Sequence, residues 1–118
     1  MIVHLVLFEP RPDLSAAQRT EILEAVTAAT EAIPSVRRVR VGRRIRHGLP
    51  GYEQTAQPEF QYVAMLEFDD EEGLREYLRH PAHAAAGDHF TVSASAALAY
   101  DYALAPAAGM AAWLSKNV

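Results

Sequence analysis

Tyr77 and His83 stand six residues apart, with His80 held between them in front of Pro81. A phenol beside an imidazole makes an acid/base pair. The imidazole, with an unperturbed pKa of about 6.5, removes a proton at neutral pH. The phenol donates a hydrogen bond to an oxygen on which charge develops. His4 joins these candidates as the single polar side chain in the apolar run of residues 2–8. A buried polar group needs a partner, so His4 is either a satisfied core histidine or a member of a site. The same spacing also serves a core aromatic at Tyr77 and a local cap at His83, and spacing alone leaves both readings open. His80 and His83 have the His-x-x-His spacing of metal ligands. Pro81 breaks the helix that would align the two rings, and only His89 or Asp88 could supply a third ligand, so no metal is expected.

The elements that position these residues follow from pattern and punctuation. Residues 2–8 form a β-branched and aromatic strand ended by Pro10 and Pro12. Its two faces, Ile2, His4, Val6 and Phe8 against Val3, Leu5 and Leu7, are both apolar, so both need a cover. Ser15 and Gln18 make a capping box for a helix that runs to Pro34, with Ile22, Val26, Ala29 and Ile33 on its apolar stripe and Arg19, Glu21, Glu24 and Glu31 mostly elsewhere. A second strand over about 36–45 alternates Val39, Val41 and Ile45 with arginines, and Arg43 breaks the pattern, which predicts a bulge near Gly42. Residues 47–59 form a loop of the length used for lids and dimer contacts. A third strand covers 60–68. The acidic run Asp69-Asp70-Glu71-Glu72 starts the next helix, whose Leu74, Tyr77 and Leu78 face a sheet and which ends near Arg79 because Pro81 disfavours helical geometry at His80. His83 is expected in a short loop beyond that end. Residues 84–87 read as a helical turn closed by Gly87, with Asp88 capping a short helix to about Ala96 and a last strand over 98–104. The order βαββαβ is the ferredoxin-like α+β sandwich with a four-stranded antiparallel sheet.

Composition bounds what such a domain can be. With 118 residues the chain supports one core. The absence of cysteine excludes disulfides, thiolate catalysis and thiolate metal sites. No basic leader with a small-residue cleavage site opens the chain, and no run of about 18 apolar residues occurs, so a soluble cytoplasmic protein is expected. Six of the eleven basic residues lie between Arg37 and Arg46, yet net charge is −4. Without aromatic stacking partners, this stripe reads as a solvated strand face answering acids such as those at 67–72, and no nucleic-acid partner is expected. The open sheet face is most simply covered by a second copy of the chain.

The opening Ile-Val-His-Leu-Val-Leu-Phe strand, the Tyr-Leu-Arg-His-Pro-Ala-His segment at 77–83 and the Tyr-Asp-Tyr of residues 100–102 resemble the stress-responsive A/B barrel family of dimeric α+β barrels. The resemblance covers about residues 2–104, implies a domain over 1–104, and sets apart an alanine-rich tail over 105–118. That tail holds Trp113 and is expected either frayed or docked on a partner subunit. By resemblance to a plant polyketide cyclase of the family, Tyr77 and His83 correspond to catalytic residues and His4 to a first-strand pocket histidine. Its Gly-Asp pair recurs as Gly87-Asp88. His80, Tyr62 and Phe90 are the candidates to contact substrate. The implied activity is a cofactor-independent aldol-type ring closure of a polyketide-like or β-dicarbonyl substrate, with a small apolar carbonyl compound as ligand. Two other readings stand beside it: a non-catalytic, ligand-binding or stress-related homodimer, as the family also contains, and a cofactor-free or haem-degrading monooxygenase, which also uses dimeric ferredoxin-like barrels and would hold haem on His83 or His80. The tryptophan confined to the tail, and asparagine occurring only at Asn117, count against the last. The resemblance further implies a main-chain cation site near Thr30, Ile33 and Val36.

Overall fold

In the computed structural model, which describes residues 1–116, the chain runs β1 (Ile2–Pro10), α1 (Ala16–Ala32), β2 (Arg38–Arg43), β3 (Tyr62–Phe68), α2 (Glu71–Arg79), α3 (Pro81–Ser93) and β4 (Ala94–Ala103). A 3-10 turn (Ala107–Gly109) and α4 (Met110–Lys116) follow, and the last two positions of the tail lie outside the described residues. The strands form one antiparallel sheet in the order β2-β3-β1-β4, the ferredoxin-like arrangement with β1 and β3 at the centre.

Register decides what faces what. His4 pairs with Leu66 on one side and Asp101 on the other, and Leu66 pairs in turn with Val39. Directly opposed residues share a face, so this row looks toward the helices, while Leu5, Met65, Tyr100 and Arg40 look away from them. On the helix side Ile33, Leu66, Phe68, Leu74 and Tyr77 make the buried cluster, with Ile2, Val36, Ala64 and Ala82 packed against it. Phe68 and Ile33 are its largest fully enclosed side chains, each worth about 1.5–3 kcal/mol of withdrawn apolar surface.

The helix starts are built as the sequence indicates. Ser15 Oγ accepts from Gln18 N–H while the Gln18 side chain accepts from Ser15 N–H, at 3.1 and 2.9 Å. Asp70 accepts from Gly73 N–H at 2.9 Å, with Glu71 and Glu72 in the positive first turn of α2.

Three local expectations are corrected. The segment after His80 is neither a loop nor two short helices: α3 is continuous from Pro81 to Ser93. Proline suits the first helical position, where its missing N–H loses no bond, and Ala82, Ala84, Ala85 and Ala86 are strong helix formers that carry the helix through Gly87 and Asp88. The last strand starts at Ala94, four residues earlier than its sequence pattern indicates, because β1 offers a ladder as far as Pro10, and pairing overrides the weak strand preference of alanine. Gly42 carries no bulge: β2 and β3 pair without interruption from Arg38↔Glu67 to Arg43↔Tyr62. A Cβ at Gly42 would meet Val63 Cγ1 at 2.9 Å, so close side-chain approach explains the glycine. The irregularity of the sheet sits instead between Glu9 and Pro10, where β1 meets β4. No helix among the described residues is long and apolar enough to cross a membrane.

Candidate functional site

Tyr77 reaches the sheet from the core-facing stripe of α2, one turn beyond Leu74, and both are buried. Its ring leans on Phe68, with centroids 5.4 Å apart. The chain then turns sharply: His80 ends α2, its N–H donating to the Tyr77 carbonyl at 3.1 Å, and begins α3. His83 therefore lies in the first turn of α3, its N–H bonded to the His80 carbonyl at 3.0 Å. This corner brings the His83 ring to 4.6 Å from that of Tyr77. His4, from the central strand, lies 5.5 Å from Tyr77 and 6.2 Å from His83. Three rings from three elements thus meet around one space.

A fourth group completes the cluster. Asp101, opposite His4 in the β1–β4 ladder, approaches the buried His4 Nδ1 with its Oδ1 at 2.6 Å. The carboxylate accepts from Nδ1–H, which holds a proton on Nδ1 and sets the orientation of the ring. The Tyr-Asp-Tyr pattern by itself assigns Asp101 no role. The usable signal was an acid alone in an apolar strand whose partner strand carries a lone histidine.

These side chains open on a hollow of about 400 Å³, otherwise lined mainly by apolar groups including Val26, Ala29, Leu66, Ala86 and Phe90. Burial pushes the Tyr77 hydroxyl up from 10.0 to about 12, so the phenol stays protonated and can only donate at neutral pH. His83 is lowered from 6.5, first by burial and then by His4, while the Leu78 backbone and the Asp101 carboxylate pull the other way. The imidazole is therefore neutral, with a lone pair free to accept a proton.

The remaining candidates fall elsewhere. Phe90 lines the hollow and packs edge-on against Phe8 at 4.9 Å. Tyr62 lines a wider cleft that adjoins the hollow rather than the hollow itself. His80, expected to contact substrate, has its Nδ1 occupied by Ala82 N–H at 3.0 Å and serves as the cap of α3. It does not line the hollow. No group of three histidine, aspartate or glutamate side chains suited to a metal ion occurs among the described residues. At the turn after α1, the Ile33 carbonyl accepts Val36 N–H at 3.2 Å, and the neighbouring Ser35 Oγ is enclosed with no partner among the described residues. By the family resemblance, a cation there would be held by main-chain carbonyls.

The family model described as the stress responsive A/B barrel domain matches residues 2–104. The chain belongs to that family. Among known proteins, this A/B barrel chain is 21% identical over 101 residues to olivetolic acid cyclase of Cannabis sativa, covering 86% of this chain and 94% of the cyclase. Among solved structures, it resembles a dimeric ferredoxin-like protein of unknown function from Thermobifida fusca YX, with a TM-score of 0.65, 25% identity, and 87% of this chain and 90% of that one covered. It also resembles the hydroxynitrile lyase of Passiflora edulis in fold, with a TM-score of 0.71, 15% identity, and 88% and 93% covered.

Proposed function

We propose that this A/B barrel protein is a cofactor-independent cyclase or lyase that forms or breaks a carbon–carbon bond beside a carbonyl, acting on a polyketide-like or β-dicarbonyl substrate. One observation carries the reading: a buried phenol, a neutral imidazole and a carboxylate-oriented second histidine share a hollow that is otherwise mostly apolar. In the forward closure, His83 takes the proton from the carbon between two carbonyls. The electron pair passes to the carbonyl oxygen, which accepts a hydrogen bond from Tyr77. The resulting enolate carbon attacks a more distant carbonyl of the same chain, forming the ring bond. The proton held on His83 returns to the new alkoxide. His4, held by Asp101, offers Nε2 to orient a substrate hydroxyl or enol. A likeness to a cyclase by sequence and to a lyase by fold agrees with this chemistry, since cleavage of such a bond uses the same proton transfers in reverse.

The same reading includes a homodimer formed through the sheet face that the helices leave bare, where Leu98, Tyr100 and Tyr102 of β4 lie partly exposed beside Leu5 and Leu7. The test is ring closure of a synthetic linear poly-β-keto acid, followed by absorbance of the cyclised product. The wild type is expected to accelerate it. His83→Ala is expected to lower turnover by about 10²–10⁴-fold and Tyr77→Phe by about 10²–10³-fold, each with the far-ultraviolet circular dichroism of the wild type. A wild-type protein that binds the acid without closing it is a ligand-binding dimer instead.

A further inference from the structure

Arg43 interrupts the apolar alternation of Val39, Val41 and Ile45. Because β2 stays in register, the interruption is a placed charge and not a bulge: Arg43 stands in one row with Tyr62 and Phe8, and Phe8 is covered by Phe90 of α3. That is the helix side of the sheet, where apolar residues ordinarily sit. Arg19, on α1, lines the same cleft as Arg43. It heads the α1 stripe that continues as Ile22, Leu23 and Val26, contrary to the expectation that it lies on another face. Both residues line a cleft of about 1200 Å³ between the first half of α1 and the β2–β3 half of the sheet.

The cleft is apolar and unfilled: Leu23 and Val41, both lining it, are 67% and 76% exposed. Its acids are committed, Glu9 to the Gln61 backbone and side chain and Glu59 to Arg46. So are the neighbouring arginines: Arg37 pairs with Asp69, Arg38 and Arg40 with Glu67, and Arg44 with the Glu59 and Gln54 carbonyls. Arg19 and Arg43 have no ion-pair partner among the described residues. The cleft also runs into the hollow of Tyr77 and His83, sharing Val6, Val26, Ala64 and Phe90 with it. From His4 to the Phe8 row is four residues along the strand, and from β1 to β2 is two strands across. Strand geometry puts Arg43 about 16 Å from His4, backbone to backbone.

We propose that the cleft binds the carboxylate end of an extended acyl chain. Arg19 and Arg43 clamp the anion between helix and sheet, Val6, Ile22, Val26 and Val41 hold the apolar body, and the distal carbonyls enter the hollow. This deepens the cyclase or lyase reading and rests on it for the fate of the distal end, naming the substrate as a linear acid bound tail-inward.

Binding of dodecanoate below its micellar range, measured by isothermal titration calorimetry against the neutral isostere dodecan-1-ol, tests the clamp without any reaction, because dodecanoate has no proton between two carbonyls. The wild type is expected to bind dodecanoate at least tenfold tighter than the alcohol, with a preference that shrinks as salt is raised. Arg43→Gln and Arg19→Gln are each expected to weaken dodecanoate by about tenfold, the scale of one lost charge-assisted hydrogen bond, and to leave the alcohol unchanged. Arg43→Lys is expected to recover part of the loss. Equal affinity for acid and alcohol, dodecanoate binding indifferent to both glutamine variants, or no binding of either compound (a second copy or another chain segment filling the cleft) would each overturn the proposal. Ring-closure activity is a separate readout. Failure of turnover with the clamp intact removes the chemistry alone, and loss of the clamp with turnover intact removes only this assignment.

Discussion

His83 sits where a proton is held off its ring, and the consequence is a pH dependence of known sign. Its folded-state pKa lies below the ordinary 6.5, chiefly because burial disfavours the charged form. As a general base it works only when neutral, so turnover is expected to fall on acidification with its midpoint below 6.5. The same shift links to stability. Between the folded pKa and 6.5 the unfolded chain binds the additional proton, so this contribution is complete above 6.5 and is lost as pH falls toward the folded pKa. Replacement by glutamine should flatten that part of the stability profile, as measured by urea midpoints at pH 5 and pH 7. Asp101 acts at one remove. Asp101→Asn is expected to release the His4 tautomer, seen as loss of the hydrogen-bonded Nδ1–H proton resonance, and to lower turnover with the melting curve little changed, because Asp101 itself is exposed at the rim.

The corner between α2 and α3 is the element on which the site depends. His80 closes one helix with its backbone N–H and opens the next with its ring nitrogen, and Pro81 stands where a helix tolerates it. His80→Ala is expected to cost about 0.5–2 kcal/mol of stability, the range for a lost N-cap, measured by chemical denaturation, while His80→Asn, a cap of equal quality, should retain most of it. If His80 touched substrate instead, both variants would impair turnover alike. The β2–β3 pair supplies a second case. Gly42→Ala forces a methyl group against Val63 Cγ1 and is expected to cost about 1–3 kcal/mol, the opposite sign from the usual benefit of removing a glycine from a strand.

At the scale of the whole molecule, the sheet has one face under helices and one that carries Leu5, Leu7, Leu98, Tyr100 and Tyr102 with no helix over it among the described residues. Glu67 on that face is buried by Arg38 and Arg40, which leaves the β1–β4 half as the apolar part. Tyr100→Glu places a charge in the middle of that half and is expected to convert the proposed dimer to a monomer in sedimentation velocity, with its circular dichroism unchanged. Trp113 in α4 is 45% exposed, and its mutation to alanine separates a tail contact from the sheet contact: only the former would shift the dimer constant through Trp113.

Alternation and caps determined the order of strands and helices, the Ser15 and Asp70 helix starts, and the choice of Tyr77, His83 and His4, because these depend on residues a few positions apart. Those cues failed where distant partners decide. The early start of β4 comes from the long ladder offered by β1, and the single helix α3 from a proline and a run of alanines outweighing one glycine. Pairing Asp101 with His4, 97 residues apart, and putting Arg43 on the helix side of the sheet in the row of Phe8 needed the sheet register. That register is fixed by burial of one face against the helices and cannot be computed from either strand alone.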